Sequence, residues 1–324
     1  MPRWSTSDAA REPGVPARPR APRTFDEREH TMTTTTGPEL IATCWLTAGA
    51  AMPLSADERS PERIEDRVRV AGEAGFTGFG LLHADLVTVR DSMGYAGFAQ
   101  LLADSSIKYL ELEMLVDWFA DGAAREASDR VRSDLLEAAR HLPVRHLKAG
   151  GDFSGSPWPF ETRAAEFRAL CEQAEGVGIR VGIEPIAFAD IRTPADGMQL
   201  VEAAGHPSGG VVLDVWHLGR LGLPVDVVRD VPVESIVSTE LDDAAEEVVG
   251  TLLEDTINER LMPGDGVFDV VGFVRAVRAT GYDGPWGIEV ISRAQRARPM
   301  EEVVRDAVAA ARAQFALADA APVA

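Results

Sequence analysis

Across 324 residues the chain carries 52 acidic and 32 basic side chains, a formal net charge of −20, and 45% hydrophobic residues. A surface this acidic repels phosphate backbones and anionic membranes, which sets nucleic-acid and membrane partners aside, and the apolar fraction is ample for a self-sufficient core. Two cysteines, Cys44 and Cys171, without C-x-x-C spacing, exclude a disulfide framework and fit a cytoplasmic protein.

Residues 1–38 are rich in Pro, Arg, Thr and Asp and close on the run Thr33 to Thr36. A segment this polar cannot bury enough apolar surface to offset its ordering entropy, so a disordered extension is predicted, with Met32 as a candidate start. It lacks the apolar region of a signal peptide, and its acidic residues argue against a transit peptide. Nowhere does the chain offer the roughly 18 consecutive apolar residues of a membrane span.

From residue 40 onward, short apolar runs beside Gly and Pro alternate with longer runs of helical period. The predicted strands are Leu40–Trp45, Thr77–Leu82, Lys108–Met114, Val144–Lys148, Arg180–Ile186, Gly210–Asp214, Ser235–Leu241 and Trp286–Ile291. Helix punctuation falls between them. Ser60-Pro61-Glu62 and Thr193-Pro194-Ala195-Asp196 read as N-termini. Gly75, Gly178, Gly205 and Gly281 read as stops. Eight such alternations point to a parallel sheet with helices outside, closed into a (β/α)₈ TIM barrel over residues 39–316. No glycine-rich fingerprint follows the first strand, which disfavours a dinucleotide fold. The Ala-rich segment 317–324 is expected to fray.

The active site of such a barrel sits at the C-terminal ends of its strands. Strand five ends Ile183-Glu184-Pro185, strand six Leu213-Asp214, strand seven Thr239-Glu240-Leu241, strand eight Ile288-Glu289-Val290. Side chains alternate across a strand. If Ile183 and Ile288 face the helices, Glu184 and Glu289 face the axis, above Gly182 and Gly287. The same parity turns Glu240 and Ser238 inward and Val237 and Leu241 outward. One strand-end acid is ordinarily just a solvated residue. Four in one register would repel one another in a partly dry site, and a divalent cation relieves that repulsion; oxygen donors suit Mg²⁺ or Mn²⁺. Glu184, Asp214, Glu240 and Glu289 are therefore the candidate metal ligands. Other strand-end groups, His83, Glu113 and Lys148, are candidates for binding substrate. Parity places Glu111 on the same face as Glu113 but deeper, so buried carboxylates there need partners.

Over about residues 40–316 the chain resembles the xylose-isomerase-like TIM barrels, a group of sugar isomerases, ketose 3-epimerases, inosose dehydratases and endonuclease-IV-type repair nucleases. Asp214-Val215-Trp216-His217 is similar to the family's Asp-x-x-His pairing, and Arg260-Leu261-Met262-Pro263-Gly264-Asp265-Gly266 to its Arg-x-x-Pro-Gly-x-Gly loop. The stretch FDVVGFVRAVRATGYDGPWGIEV that follows also looks like this family. The resemblance implies metal ligands at Glu184, Asp214 and Glu289, and substrate-binding roles for His217 and Arg260. It departs at strand seven, where Glu240 stands in place of the family's His. Either Glu240 completes an all-carboxylate shell, which favours Mg²⁺ or Mn²⁺ over Zn²⁺, or it is not a ligand and the site has drifted.

The expected activity is a metal-dependent isomerisation or epimerisation of a sugar, keto-sugar or cyclitol. Glu184 and Glu289 would move the proton α to a carbonyl through an enediolate. The alternatives are a lyase or dehydratase that shares this first half-reaction, and a non-catalytic sugar-binding relative. A repair nuclease would need a histidine-rich zinc cluster, and the chain has six histidines in all. The expected partner is a sugar-like small molecule, with self-association left open.

Overall fold

The computed structural model describes residues 37–320. The extension expected to be disordered over 1–38 lies, apart from Gly37 and Pro38, outside the described residues, as do residues 321–324.

Eight parallel strands close in chain order: β1 (Leu40–Ala42), β2 (Gly78–Leu82), β3 (Tyr109–Leu115), β4 (Val144–Gly150), β5 (Arg180–Glu184), β6 (Gly209–Asp214), β7 (Ile236–Leu241) and β8 (Trp286–Ile288). β8 pairs back onto β1, Leu40 with Trp286 and Ala42 with Ile288, so the sheet is a barrel. Around it lie α1 (Ile64–Ala74), α2 (His83–Asp104), α3 (Gly122–Ala139), α4 (Phe160–Glu175), α5 (Pro194–Ala204), α6 (Val215–Arg220), α7 (Leu252–Asn258), α8 (Val270–Ala279), α9 (Arg293–Arg296) and α10 (Met300–Asp319). The fold is the expected (β/α)₈ TIM barrel. Among the described residues no helix is long and apolar enough to cross a membrane.

Apolar side chains on the outer face of the sheet form the core against the helices. Leu110, Leu112, Leu147, Ile183, Val211, Leu213 and Ile288 are all buried there with Phe167, Phe273 and Val304 of the helices. Removing such strand side chains from water contributes roughly 25 cal/mol per Å² of apolar surface.

Every strand lies at its predicted place, but β1 and β8 stop three residues early. After Ala42 the chain winds into a 3-10 turn, Cys44–Thr47, lying against the backbone of β2. A Cβ at Gly80 would sit 2.4 Å from the Cys44 nitrogen, so only glycine permits that approach. At β8 the ladder continues one residue further, the Glu289 N–H donating to the Leu241 carbonyl at 3.2 Å.

Thr193 and Asp196 form the expected capping box at the start of α5. Ser60 does not cap α1, which begins at Ile64. Its hydroxyl donates to the Ala48 carbonyl and its N–H to the Asp85 carboxylate, closing the loop ahead of the helix. The tail expected to fray from 317 is instead helical to Asp319. Arg275 of α8 donates to the carbonyls of Leu317, Ala318 and Ala320, and so supplies partners for the last turn.

Candidate metal and substrate site

The strands deliver their polar residues to one end of the barrel. Lys148 stands opposite Gly182 across β4 and β5, and Asp214 stands opposite Glu240 across β6 and β7. Glu240 in turn faces Gly287. A Cβ at Gly287 would lie 2.9 Å from Glu240 Cγ and 3.2 Å from Thr43 Cγ2, so the glycine makes room for the carboxylate. Gly287→Ala is expected to cost about 1–3 kcal/mol through overpacking and to displace Glu240 without removing any acid. Thermal unfolding together with Mn²⁺ affinity measures both; unchanged values would show that Glu240 lies elsewhere.

Lys148 is the hub of the cluster. Its Nζ lies 2.7 Å from Glu240 Oε1, 3.0 Å from Glu113 Oε2, 3.3 Å from Glu289 Oε1 and 3.6 Å from Glu184 Oε2, all of them buried. Arg260 is the second buried cation. Its Nη1 donates to Asp214 Oδ2 at 2.8 Å and to Asp242, and lies 3.2 Å from Glu289 Oε2. Its guanidinium also covers the Trp216 ring, 5.0 Å from the centroid. The Ala187 N–H donates to His217 Nδ1. This leaves the protonated Nε2 facing Glu184 Oε1 at 3.3 Å and Asp214 Oδ2 at 3.6 Å.

Burial alone would raise every acid in this cluster. For Glu184 the burial penalty is outweighed by Lys148, His217 and Arg260, which hold its carboxyl down at about 2. Glu289 is pushed up to about 7, because burial, Glu113 and Glu184 together outweigh Lys148 and Arg260. Glu240 is raised by burial and by the charges of Glu289 and Glu184, despite Lys148. Burial opposes the charge on Lys148, but Glu113, Glu184, Glu240 and Glu289 more than compensate and raise its pKa well above the ordinary lysine value.

The donor set fits a divalent cation. One oxygen each from Glu184, Asp214, Glu240 and Glu289 lies within 4.8 Å of the others. Glu240 Oε2 is buried without a hydrogen-bond partner, and Glu184 Oε2 accepts no hydrogen bond and has only the Lys148 ammonium 3.6 Å away; such oxygens are costly to bury unless a cation meets them more closely. Four hard oxygens suit a divalent cation, and His217 with Glu184 and Asp214 forms a second, overlapping set of donors that could hold one.

The structure thus brings together the sequence candidates Glu113, Lys148, Glu184, Asp214, His217, Glu240, Arg260 and Glu289. It leaves His83 out. His83 opens α2, and its Nε2 pairs with Asp134 of α3 at 2.8 Å rather than with any of these groups. Sequence reasoning missed Asp242, buried against Arg260, although its parity with Glu240 already turned it inward. It also sent Val237 outward. The β6–β7 register slips there, Val211 pairing with Ile236 but Val212 with Ser238, and a Cβ at Gly182 would lie 3.2 Å from Val237 Cβ. Val237 is the extra residue of a bulge and turns inward.

Deeper in the barrel, Glu111 finds its partner in His146, with Nε2 2.7 Å from Oε2 and both side chains fully buried. Arg145 donates to His146 Nδ1, so Nε2 carries the hydrogen given to Glu111. Burial, opposed by Lys148 and reinforced by Glu113, pushes Glu111 up to about 8. Burial and the charges of Arg145 and Lys148 push His146 well below its ordinary value. A carboxyl raised in the fold contributes stability that is complete below its unfolded value and lost as pH rises through its folded one. The neutral His146 acts oppositely: its contribution is present above its unfolded value and lost as pH falls. Glu111→Gln is therefore expected to flatten the decline in Tm between about pH 5 and 8 and to keep the acid-side loss. A decline as steep as in the wild type would contradict the protonated state of Glu111.

Residues 68–314 match the family described as xylose isomerase-like TIM barrel. The chain is 28% identical over 255 residues to a 3-dehydroshikimate dehydratase of Pseudomonas putida, covering 76% of this chain and 38% of that protein. It is 25% identical over 140 residues to an inosose isomerase of Halalkalibacterium halodurans, covering 43% of this chain and 49% of that protein. The chain thus spans less than half the length of either relative. Among solved structures, the IolI protein with a bound zinc atom superposes with a TM-score of 0.77 at 15% identity, over 87% of this chain and 100% of that one.

Proposed function

The chain belongs to the xylose isomerase-like TIM-barrel family, and from that premise we propose that it is a divalent-metal-dependent enzyme that removes the proton α to a carbonyl in a polyhydroxylated ketone and then expels a β-hydroxyl as water. The observation that carries this reading is the convergence of four strand-end carboxylates within 4.8 Å, beside the cations Lys148 and Arg260. Glu184, Asp214, Glu240 and Glu289 would hold Mg²⁺ or Mn²⁺, which supplies electrophilic stabilisation of negative charge on the substrate's oxygens.

The chain's own groups have separable tasks. Glu184, ionised and with an Oε2 that accepts no hydrogen bond, takes the α-proton. The C–H electron pair enters the enolate and then the new C=C bond as the β C–O bond breaks. Glu289, on the opposite arc of the barrel, gives a proton to the departing hydroxyl. Lys148, Arg260 and the His217 Nε2–H donate hydrogen bonds to the ketone and its hydroxyls. Burial excludes bulk water and strengthens each of these interactions.

Dehydration is favoured by the relative matched over three-quarters of this chain, which is a dehydratase. Isomerisation or epimerisation is the second reading, favoured by the inosose isomerase match and by acids on two arcs of the mouth. There Glu289 would return a proton to carbon instead. The two separate in D₂O with Mn²⁺ and either 3-dehydroshikimate or an inosose, followed by NMR. Loss of water into a conjugated product is the expected result. Deuterium in an isomerised ketone without water loss would select the second reading, and neither product nor exchange would contradict both.

A further inference from the structure

We propose that Lys148 is a built-in cationic competitor at the metal site: its ammonium and a divalent ion claim the same carboxylate oxygens, and arrival of the ion leaves Glu113 as the one carboxylate that still holds Lys148. This rests on the metal reading above and asks what sets the strength of that site.

Three of the four candidate metal ligands already face the ammonium: Glu240 at 2.7 Å, Glu289 at 3.3 Å and Glu184 at 3.6 Å. A divalent ion bound by hard oxygens sits at roughly 2.0–2.6 Å from each of them. It would therefore stand within a few ångströms of a second cation, in a place where no solvent screens the repulsion. Lys148 cannot escape to water, because its side chain is fully buried. Only one of its four partners lies outside the metal set. That partner is Glu113, whose Oε2 is 3.0 Å from Nζ. Glu113 is also held in place, since its Oε1 accepts the Cys44 N–H at 3.1 Å. The barrel thus supplies a fixed anionic berth on the β3 side to which the ammonium can withdraw. The consequence is a site that holds its metal more loosely than four carboxylates alone would, and an ammonium that metal binding moves to one wall of the mouth.

The test is Mn²⁺ binding to the full chain at pH 8, followed by loss of the free-ion EPR signal, with no substrate present. Wild type, Lys148→Met, Glu113→Gln and the double variant are compared. Lys148→Met is expected to bind Mn²⁺ at least about tenfold more tightly, and Glu113→Gln about tenfold more weakly. In the Lys148→Met background, Glu113→Gln should have almost no effect, because Glu113 acts through the ammonium. Equal or weaker binding by Lys148→Met, alongside saturable binding by wild type, would overturn the competition and leave the metal site standing. An undiminished Glu113→Gln effect in the double variant would overturn the withdrawal to Glu113. Absence of saturable binding in every variant would overturn the metal reading itself, and this inference with it. Should Lys148→Met fail to fold by circular dichroism, Glu113→Gln alone decides, and unchanged affinity there overturns the proposal.

Discussion

Replacing Glu184 by Gln is expected to lower turnover at least about a hundredfold, because general acid–base groups typically contribute 10²- to 10⁴-fold and a metal ligand is weakened as well. The substitution keeps the side chain's size and leaves an oxygen to accept the His217 Nε2–H, 3.3 Å away. It removes the basic Oε2, which has no hydrogen-bond partner. Tm measured without metal should therefore stay within a few degrees of wild type. Glu289→Gln should lose a similar factor, since it removes the proton donor on the opposite arc. The comparison is Glu111→Gln, which lies below the mouth and acts through stability. Near-normal turnover in Glu184→Gln or Glu289→Gln would remove that residue from the proposed chemistry.

Arg260→Ala is expected to produce the largest loss of stability. The guanidinium neutralises Asp214, Asp242 and Glu289, donates to Thr256 Oγ1 from Nε and Nη2, and covers Trp216. All three acids are buried. Removing one partner of a buried ion pair costs about 3–5 kcal/mol, because it strands uncompensated charge. For a domain of this size each 1 kcal/mol lowers Tm by roughly 2–4 °C, so a fall of about 10 °C or more is expected by calorimetry. Arg260→Lys keeps the charge but cannot span Asp214, Asp242 and Thr256 with one planar fork. It should recover part of the stability and little of the substrate binding. A Tm for Arg260→Ala within about two degrees of wild type would contradict the buried pairing, since that loss corresponds to under about 1 kcal/mol.

Much of this was legible in the chain because strand parity is a strong constraint. Ile183 and Ile288 faced outward, so Glu184 and Glu289 had to face inward, and the structure buries both. Glycines 182 and 287 were readable as positions below those acids. Their purpose was not, because it depends on neighbouring strands: Gly287 makes room for Glu240, and Gly182 for Val212 and Val237. Parity misled at Val237, since a bulge in one strand leaves no mark in a run of apolar residues. His83 looked equivalent to the other strand-end groups. Only the packing of α2 on α3 shows that Asp134 takes it. Lys148 was visible as a candidate for binding substrate. Its place among four carboxylates on β3, β5, β7 and β8 is a product of barrel closure, which no local pattern encodes. Ser60 carried every local sign of an N-cap, yet tertiary bonds to Ala48 and Asp85 claimed it first.

The claim on which the rest depends is that Glu240, standing where the resembling family has a histidine, completes one divalent-cation site with Glu184, Asp214 and Glu289. Titrating Mn²⁺ into the full chain and into Glu240→Gln, with circular dichroism to show that both are folded, tests it most directly. The expected result is one saturable ion per wild-type chain and at least about a tenfold weaker site in Glu240→Gln. Equal affinity in the two proteins would place Glu240 outside the site, and no saturable uptake by the wild type would contradict the metal centre altogether.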